Sequence, residues 1–159
     1  MAGVYCVDTS SLISLKVFER DVFRSVWDTV EEFIRSGRMF APREVLRELR
    51  VGDDEIHAWA KLQAGLFADL DETLATVLKE VQSRFPSLAD PSRMTPHADP
   101  WVVALAITRA RANPERRCHV VTEEKLRGQG SAKIPNVCQA LDVPCTNLVG
   151  VFRLEGRVF

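Results

Sequence analysis

Apolar and polar positions divide the chain into short apolar runs and longer stretches of helical spacing. The run "VYCVD", Val4 to Asp8, reads as a short buried strand closed by a carboxylate. Thr9 to Phe18 opens with cap-type residues and carries Leu12, Ile13 and Leu15, which predicts a first helix. From Asp21 to Ser36, Val22, Phe23, Val26, Trp27, Val30, Phe33 and Ile34 recur at helical spacing, with Gly37 as a stop. "RMFAP" is a second short strand, ended by Pro42. "PREVLRELRVG" is the next helix, with Pro42 near its start and Gly52 near its end. Asp53 to Asp69 and Asp71 to Phe85 read as two further amphipathic helices, the second closed by Pro86. "SLADPSRMTPH" is a loop, and "ADPWVVALAITRARAN" a strongly apolar helix with Pro100 in its first turn. "CHVVTEE" is another buried strand. "KIPNVCQALDVPC" reads as a helix followed by a short strand near Val143 to Thr146, and the tail "NLVGVFRLEGRVF" is best read as a last helix.

Strands that alternate with helices imply βαβ units. The predicted fold is therefore a three-layer α/β/α domain with a mainly parallel central sheet, extended by extra helices in the 53–85 region. A chain of 159 residues suits one such domain spanning 1–159. Apolar residues make up 46% of it, enough for a core and too many for disorder. No apolar run approaches the ~20 residues of a membrane span, and the start lacks a secretory signal pattern, so a cytoplasmic protein without membrane partners is expected. Cys6, Cys118, Cys138 and Cys145 form no C-x-x-C pair; they read as reduced, mostly packed thiols, with a regulatory Cys138–Cys145 pair as a minor alternative. The net charge of −1 announces no nucleic-acid binder and excludes none.

In parallel α/β sheets the functional crevice lies beyond the carboxyl ends of the strands. That rule gathers acids from separate segments. Asp8 ends the first strand, Glu123 and Glu124 follow "HVVT", Asp99 begins the apolar helix, and Glu44 and Glu48 share one face of the helix after "RMFAP". Acids so gathered would repel unless protonated or joined by a cation. Mg²⁺ and Mn²⁺ prefer oxygen ligands, and two such ions roughly 3.5–4 Å apart can support phosphodiester hydrolysis. Each acid also has an ordinary reading. Asp8 and Asp99 suit helix N-caps, Glu123 and Glu124 suit a helix first turn, and Glu44 and Glu48 suit surface pairs with Arg43, Arg47 or Arg50.

The ordered segments "VYCVDTSSLI", "PREVLREL", "ADPWVVALAI" and "VVTEEK" resemble the PIN-domain family of metal-dependent nucleases, and "IP-x-V-C" in "KIPNVCQ" is similar to one of its subgroups. Carried over residue by residue, the resemblance implies Asp8, Glu48, Asp99 and Glu124 as catalytic metal ligands for Mg²⁺ or Mn²⁺. The fourth position is usually aspartate in that family, and here it is Glu124, with Glu123 beside it. Thr9, Ser10 and Thr122 would support the ligands or contact phosphate, and Glu44 is a possible fifth acid. Many members are RNA-cutting toxins of toxin–antitoxin pairs. The resemblance therefore implies an endoribonuclease that leaves 5′-phosphate and 3′-hydroxyl ends, an antitoxin partner and a possible homodimer. Arg43, Arg47, Arg50, Lys125, Arg127 and Lys133 are candidate RNA contacts, each with a solvated-charge alternative. The Arg109–Arg117 run suits a helix end as well as a patch. Trp27, Trp59 and Trp101 read as core or interface. His57, His97 and His119 make no zinc pattern. Two other functions compete: a non-catalytic RNA- or protein-binding module of the same shape, and a phosphatase using Asp8 as nucleophile. The second is weakened because Ser10 stands where such sites often carry another acid.

Overall fold

The computed structural model describes residues 2–88, 97–126, 128 and 133–159. It is a three-layer α/β/α fold. Five parallel strands form the central sheet, and eight α-helices flank it among the described residues. The strands are β1 (Val4–Val7), β2 (Met39–Pro42), β3 (Phe67–Ala68), β4 (Cys118–Val121) and β5 (Cys145–Thr146). The helices are α1 (Thr9–Ile13), α2 (Arg24–Arg35), α3 (Arg43–Gly52), α4 (Asp54–Ala60), α5 (Glu72–Arg84), α6 (Asp99–Ala112), α7 (Ile134–Ala140) and α8 (Leu148–Leu154).

The sheet order is β3-β2-β1-β4-β5, and every neighbouring pair is parallel. Every residue of β1 and β2 is buried, as expected for strands covered by helices on both faces. The core draws on both layers: Val30 and Phe33 of α2, Val45 and Leu49 of α3, and Val102, Val103 and Ala106 of α6 are all buried. α5 packs Leu74, Val77 and Val81 into the same core. The tryptophans are packed as the sequence suggests. Trp27 and Trp59 meet edge to face at 5.4 Å, and the Trp27 indole N–H donates to the Phe18 carbonyl at 2.6 Å. No helix of the described residues is long and apolar enough to cross a membrane.

Several predicted elements change length or kind. The first helix is one turn and a half, because Ser14–Val17 tightens into a 3₁₀ turn. α2 begins at Arg24, not Asp21. The predicted helix from Asp53 to Asp69 ends at Ala60, and a strand, β3, follows. Gly65, in the turn between them, takes a left-handed φ of +85°. The chain then pairs along β2, with Ala41 opposite Phe67. A two-residue edge strand carries too little periodicity to announce itself locally. Of the predicted loop from Ser87 to His97, residues 89–96 lie outside the described residues.

Candidate functional site

Strand order sets the site before any side chain does. From β1 the chain builds outward through β2 and β3, then returns to the other side of β1 to add β4 and β5. The order reverses between β1 and β4, so the crevice of such a sheet opens at the carboxyl ends of these two strands. Asp8 directly follows β1 there, and Thr122, Glu123 and Glu124 directly follow β4. The Asp8 N–H donates to the Val121 carbonyl at 3.0 Å, which ties the two strand ends together.

The Asp8 carboxylate is only 3% exposed and sits in a ring of donors. The Ser10 hydroxyl donates to it at 2.8 Å, the Ser11 hydroxyl at 2.9 Å and the Ser11 N–H at 2.8 Å. The Thr122 hydroxyl, also buried, donates to Oδ2. The hydroxyls in turn accept from the next loop. Glu123 N–H donates to Ser10 Oγ at 3.0 Å, and Glu124 N–H to Thr122 Oγ1 at 3.1 Å. Asp8 thus both caps α1, through Ser11 N–H, and organises the loop that carries Glu123 and Glu124. Burial pushes its carboxyl up to about 6, against the pull of these donors. Among the described residues, no lysine or arginine forms a salt bridge with it.

The second acid reaches the site from α3. Glu48 accepts the Thr9 hydroxyl through Oε1 and the Ala98 N–H, at 3.2 Å, through Oε2. It therefore joins the residue after Asp8 to the residue before Asp99. Asp99 is the first residue of α6 and half-buried, and the cap position falls on Ala98. Glu124 accepts from Ile134 N–H at 3.2 Å, which anchors the start of α7. Glu123 Oε2 is buried and has no hydrogen-bond partner among the described residues. Glu44 pairs with Arg47 at 2.9 Å.

The structure thus brings Asp8, Ser10, Thr122, Glu123 and Glu124 into one hydrogen-bonded network, and Thr9, Glu48 and Ala98 into a second beside it. Among the described residues, no three His, Cys, Asp or Glu side chains stand close enough to hold an ion together. The predicted basic contacts are dispersed. Arg43 pairs with Asp69, Arg47 with Glu44, and Arg111 with Glu80. Arg109 stacks on the Phe40 ring at 4.2 Å. Arg50, Lys125 and Lys133 are exposed, and Arg127 lies outside the described residues. Ser11 was not singled out in the sequence, yet it is buried, and its hydroxyl oxygen lies 2.9 Å from both an Asp8 carboxylate oxygen and the Val121 carbonyl, which share its one hydrogen. Its signal was the third hydroxyl after the strand in "DTSS".

A cleft of about 570 Å³ adjoins the network, lined by Thr122, Glu123, Glu124, Cys145, Thr146 and Arg153 among others. A larger one, about 770 Å³, lies where β4 begins, against Cys118, Arg84 and Arg111. It is at the amino end of the strands and includes none of the acids above, so its size does not make it the functional crevice.

A family model described as a domain of unknown function (DUF4411) matches residues 5–159. No curated protein matches the chain. Among solved structures, the crystal structure of PAE2754 from Pyrobaculum aerophilum is similar to it at 17% sequence identity and a TM-score of 0.48, over 99% of this chain and 100% of that one.

Proposed function

We propose that this chain, which belongs to the DUF4411 family, a domain of unknown function, is a divalent-cation-dependent endoribonuclease. The support is the bridge at the reversal of strand order, where Ser10 and Thr122 each join the Asp8 carboxylate to the backbone of the acidic Glu123–Glu124 loop. The donor chemistry suits a hard cation: the side chains are carboxylates and hydroxyls only. Two features of the site are ones a cation would relieve. Asp8 is buried with its carboxyl pushed up, and Glu123 Oε2 is buried with no hydrogen-bond partner among the described residues. Asp8, Glu48, Asp99 and Glu124 would hold Mg²⁺ or Mn²⁺, and the bound ion supplies positive charge against a phosphodiester and eases deprotonation of water.

The protein's own residues have separate tasks. Thr9 orients Glu48. Ser10 and Thr122 fix Asp8 and set the height of the Glu123–Glu124 loop. Their hydroxyls can turn toward an incoming phosphate oxygen while the amides of Glu123 and Glu124 keep them in place. The PIN resemblance makes RNA the substrate, an antitoxin protein the partner, a homodimer a possible assembly and the cytoplasm the setting.

A non-catalytic binding module is the second reading. It is favoured by the full set of donors already on Asp8 and by the lack of three acids in mutual reach among the described residues. A nucleophilic role for Asp8 is disfavoured by its 3% exposure and by the engagement of both its oxygens.

One experiment separates these. Purified protein is incubated with labelled RNA and with single-stranded DNA, in Mg²⁺, Mn²⁺ or chelator, alongside Asp8→Asn and Asp99→Asn, each checked for folding by circular dichroism. RNA cleavage that needs the cation and falls at least ~100-fold in each folded variant is expected, the scale of loss on removing one preorganised transition-state-stabilising group. Cleavage that persists in chelator, or a folded protein that binds RNA without cutting it, overturns the assignment.

A further inference from the structure

The cleft beside Glu123 and Glu124 does not end at them. It shares Cys145, Thr146, Gly150 and Arg153 with a second cleft of about 490 Å³, which also takes in Arg117 and His119. Arg117 precedes β4 and Glu124 follows it, so the two clefts form one groove along the length of that strand. The groove crosses β5, the last strand of the sheet, and the first turn of α8. Gly150 stands at the join. A Cβ there would overlap the Thr146 hydroxyl, so the position admits no larger residue without displacing Thr146.

The two halves of the groove differ in charge. One carries Glu123 and Glu124. The other carries Arg117 and Arg153, and no carboxylate lines it among the described residues. Both arginines are exposed, and neither forms a salt bridge among the described residues. Arg20, Arg38, Arg43, Arg47, Arg111 and Arg157, by contrast, each hold a carboxylate. His119 lies between the strands of this half. Its ring stacks on Tyr5 at 5.5 Å, and its Nδ1 is buried with no hydrogen-bond partner among the described residues. Burial and the nearby Arg117 hold the imidazole below its ordinary range, against a lesser pull from Glu155. Positive groups crowd this end of the groove as acids crowd the other, and an anion would relieve them.

We propose that the basic half of the groove holds a phosphodiester of the RNA strand on which the acidic half acts, with Arg117 and Arg153 as its contacts. The identity of the ligand rests on the nuclease reading; its place rests on the shape and charge of the groove. A guanidinium pairs with phosphate oxygens through its fork of N–H donors. Contacts of this kind set the register of a strand and carry no base information. The strand then lies along β4, one phosphate against the arginines and another at the Glu123–Glu124 loop. Arg153 lines both clefts and so stands where the strand passes from one to the other.

The test is binding of a short labelled single-stranded RNA, followed by fluorescence anisotropy over a series of salt concentrations. Chelator is present, so that the assigned cleavage is off. Replacing both arginines, Arg117→Ala with Arg153→Ala, should weaken binding at least ~10-fold. It should also reduce the slope of log affinity against log salt by about 1.4, from ~0.7 for each phosphate contact on a single strand. The pair Arg24→Ala with Arg35→Ala removes the same charge from α2, outside both clefts, and should leave the slope unchanged. In wild type, the His119 ring signals in NMR spectra, assigned with His119→Gln, should shift when RNA is added. Equal losses in the two double variants overturn the proposal, as does RNA that fails to bind or binds without moving the His119 signals. A shift confined to His97, two residues before Asp99, places RNA at the acidic end alone; it overturns this proposal and leaves the nuclease reading intact. RNA that moves His119 and depends on both arginines, yet stays uncut in Mg²⁺ and Mn²⁺, supports the phosphate contacts and removes the nuclease reading. The wild-type spectra decide even if an arginine variant fails to fold.

Discussion

Asp8 is the residue on which the site turns, and its burial gives it a measurable signature. Its carboxyl is raised from an ordinary 3.8 to about 6. A raised folded-state value means that the folded protein binds this proton more tightly than the unfolded chain does. Ionised Asp8 therefore weighs on the fold above about pH 6, and acidification from there toward pH 4 relieves it. At about 1.4 kcal/mol per pH unit the relief is on the order of 3 kcal/mol. In chelator, the stability of wild type relative to Asp8→Asn, measured by urea unfolding, should rise by an amount of that order between pH 7.5 and pH 4. A gap that stays constant across this range would show that the donors around Asp8 cancel its burial, and one that shrinks on acidification that they outweigh it. The identity of Asp8 was legible from the sequence, since a carboxylate closing an apolar run stands out. Its partner Ser11 and the backbone donors at Ala98 and Ile134 were not. Ser11 looks like any cap-region serine until its hydroxyl is found against Val121, which is 110 positions away in the chain.

At the scale of elements, α3 separates two acids that the sequence could only pair. Glu44 and Glu48 are four apart, and helical spacing places them on one face. The structure gives them different partners: Glu44 takes Arg47 within its own helix, while Glu48 takes Thr9 and Ala98 from two other segments. Glu44→Ala should therefore cost below about 0.5 kcal/mol and leave any cation-dependent cleavage within a factor of about two. Glu48→Ala strips acceptors from a hydroxyl and a part-buried amide, which should cost about 1–3 kcal/mol and abolish cleavage. Urea midpoints and initial rates on the two variants check both statements, and equal behaviour of the pair would refute the separate roles. The strands β1, β2 and β4 were legible as apolar runs, and α6 as an apolar helix with a proline in its first turn. β3 was not, because a two-residue strand owes its existence to the neighbour it pairs with, Ala41 and Pro42 of β2.

Across the whole molecule the two ends of the sheet have different work. Asp8, Thr122 and the acidic loop occupy the carboxyl ends of the strands. At the amino ends, Glu155 beyond α8 accepts both the Tyr5 hydroxyl of β1 and the Arg38 guanidinium beside β2, and so fastens the C-terminal segment to the sheet. Glu155→Ala leaves two part-buried donors without their acceptor and should cost about 2 kcal/mol in urea unfolding, with no change in cation dependence or cleavage rate per folded molecule. A loss of activity beyond the loss of folded protein would mean that the two ends are coupled. The sequence by itself determined which segments are strands and helices at the level of the sheet's centre, that the fold is α/β with a parallel sheet, and which acids stand at strand ends and helix starts. These are local properties, written in the period of apolar positions and in the residue that follows each run. Only the tertiary structure decided that β1 lies between β2 and β4, that the order reverses beside Asp8, and that Thr122 and Ser10 close a ring around it. Those facts depend on which distant segments share hydrogen bonds and packing, and hydrophobic period specifies that a face is buried without specifying what buries it.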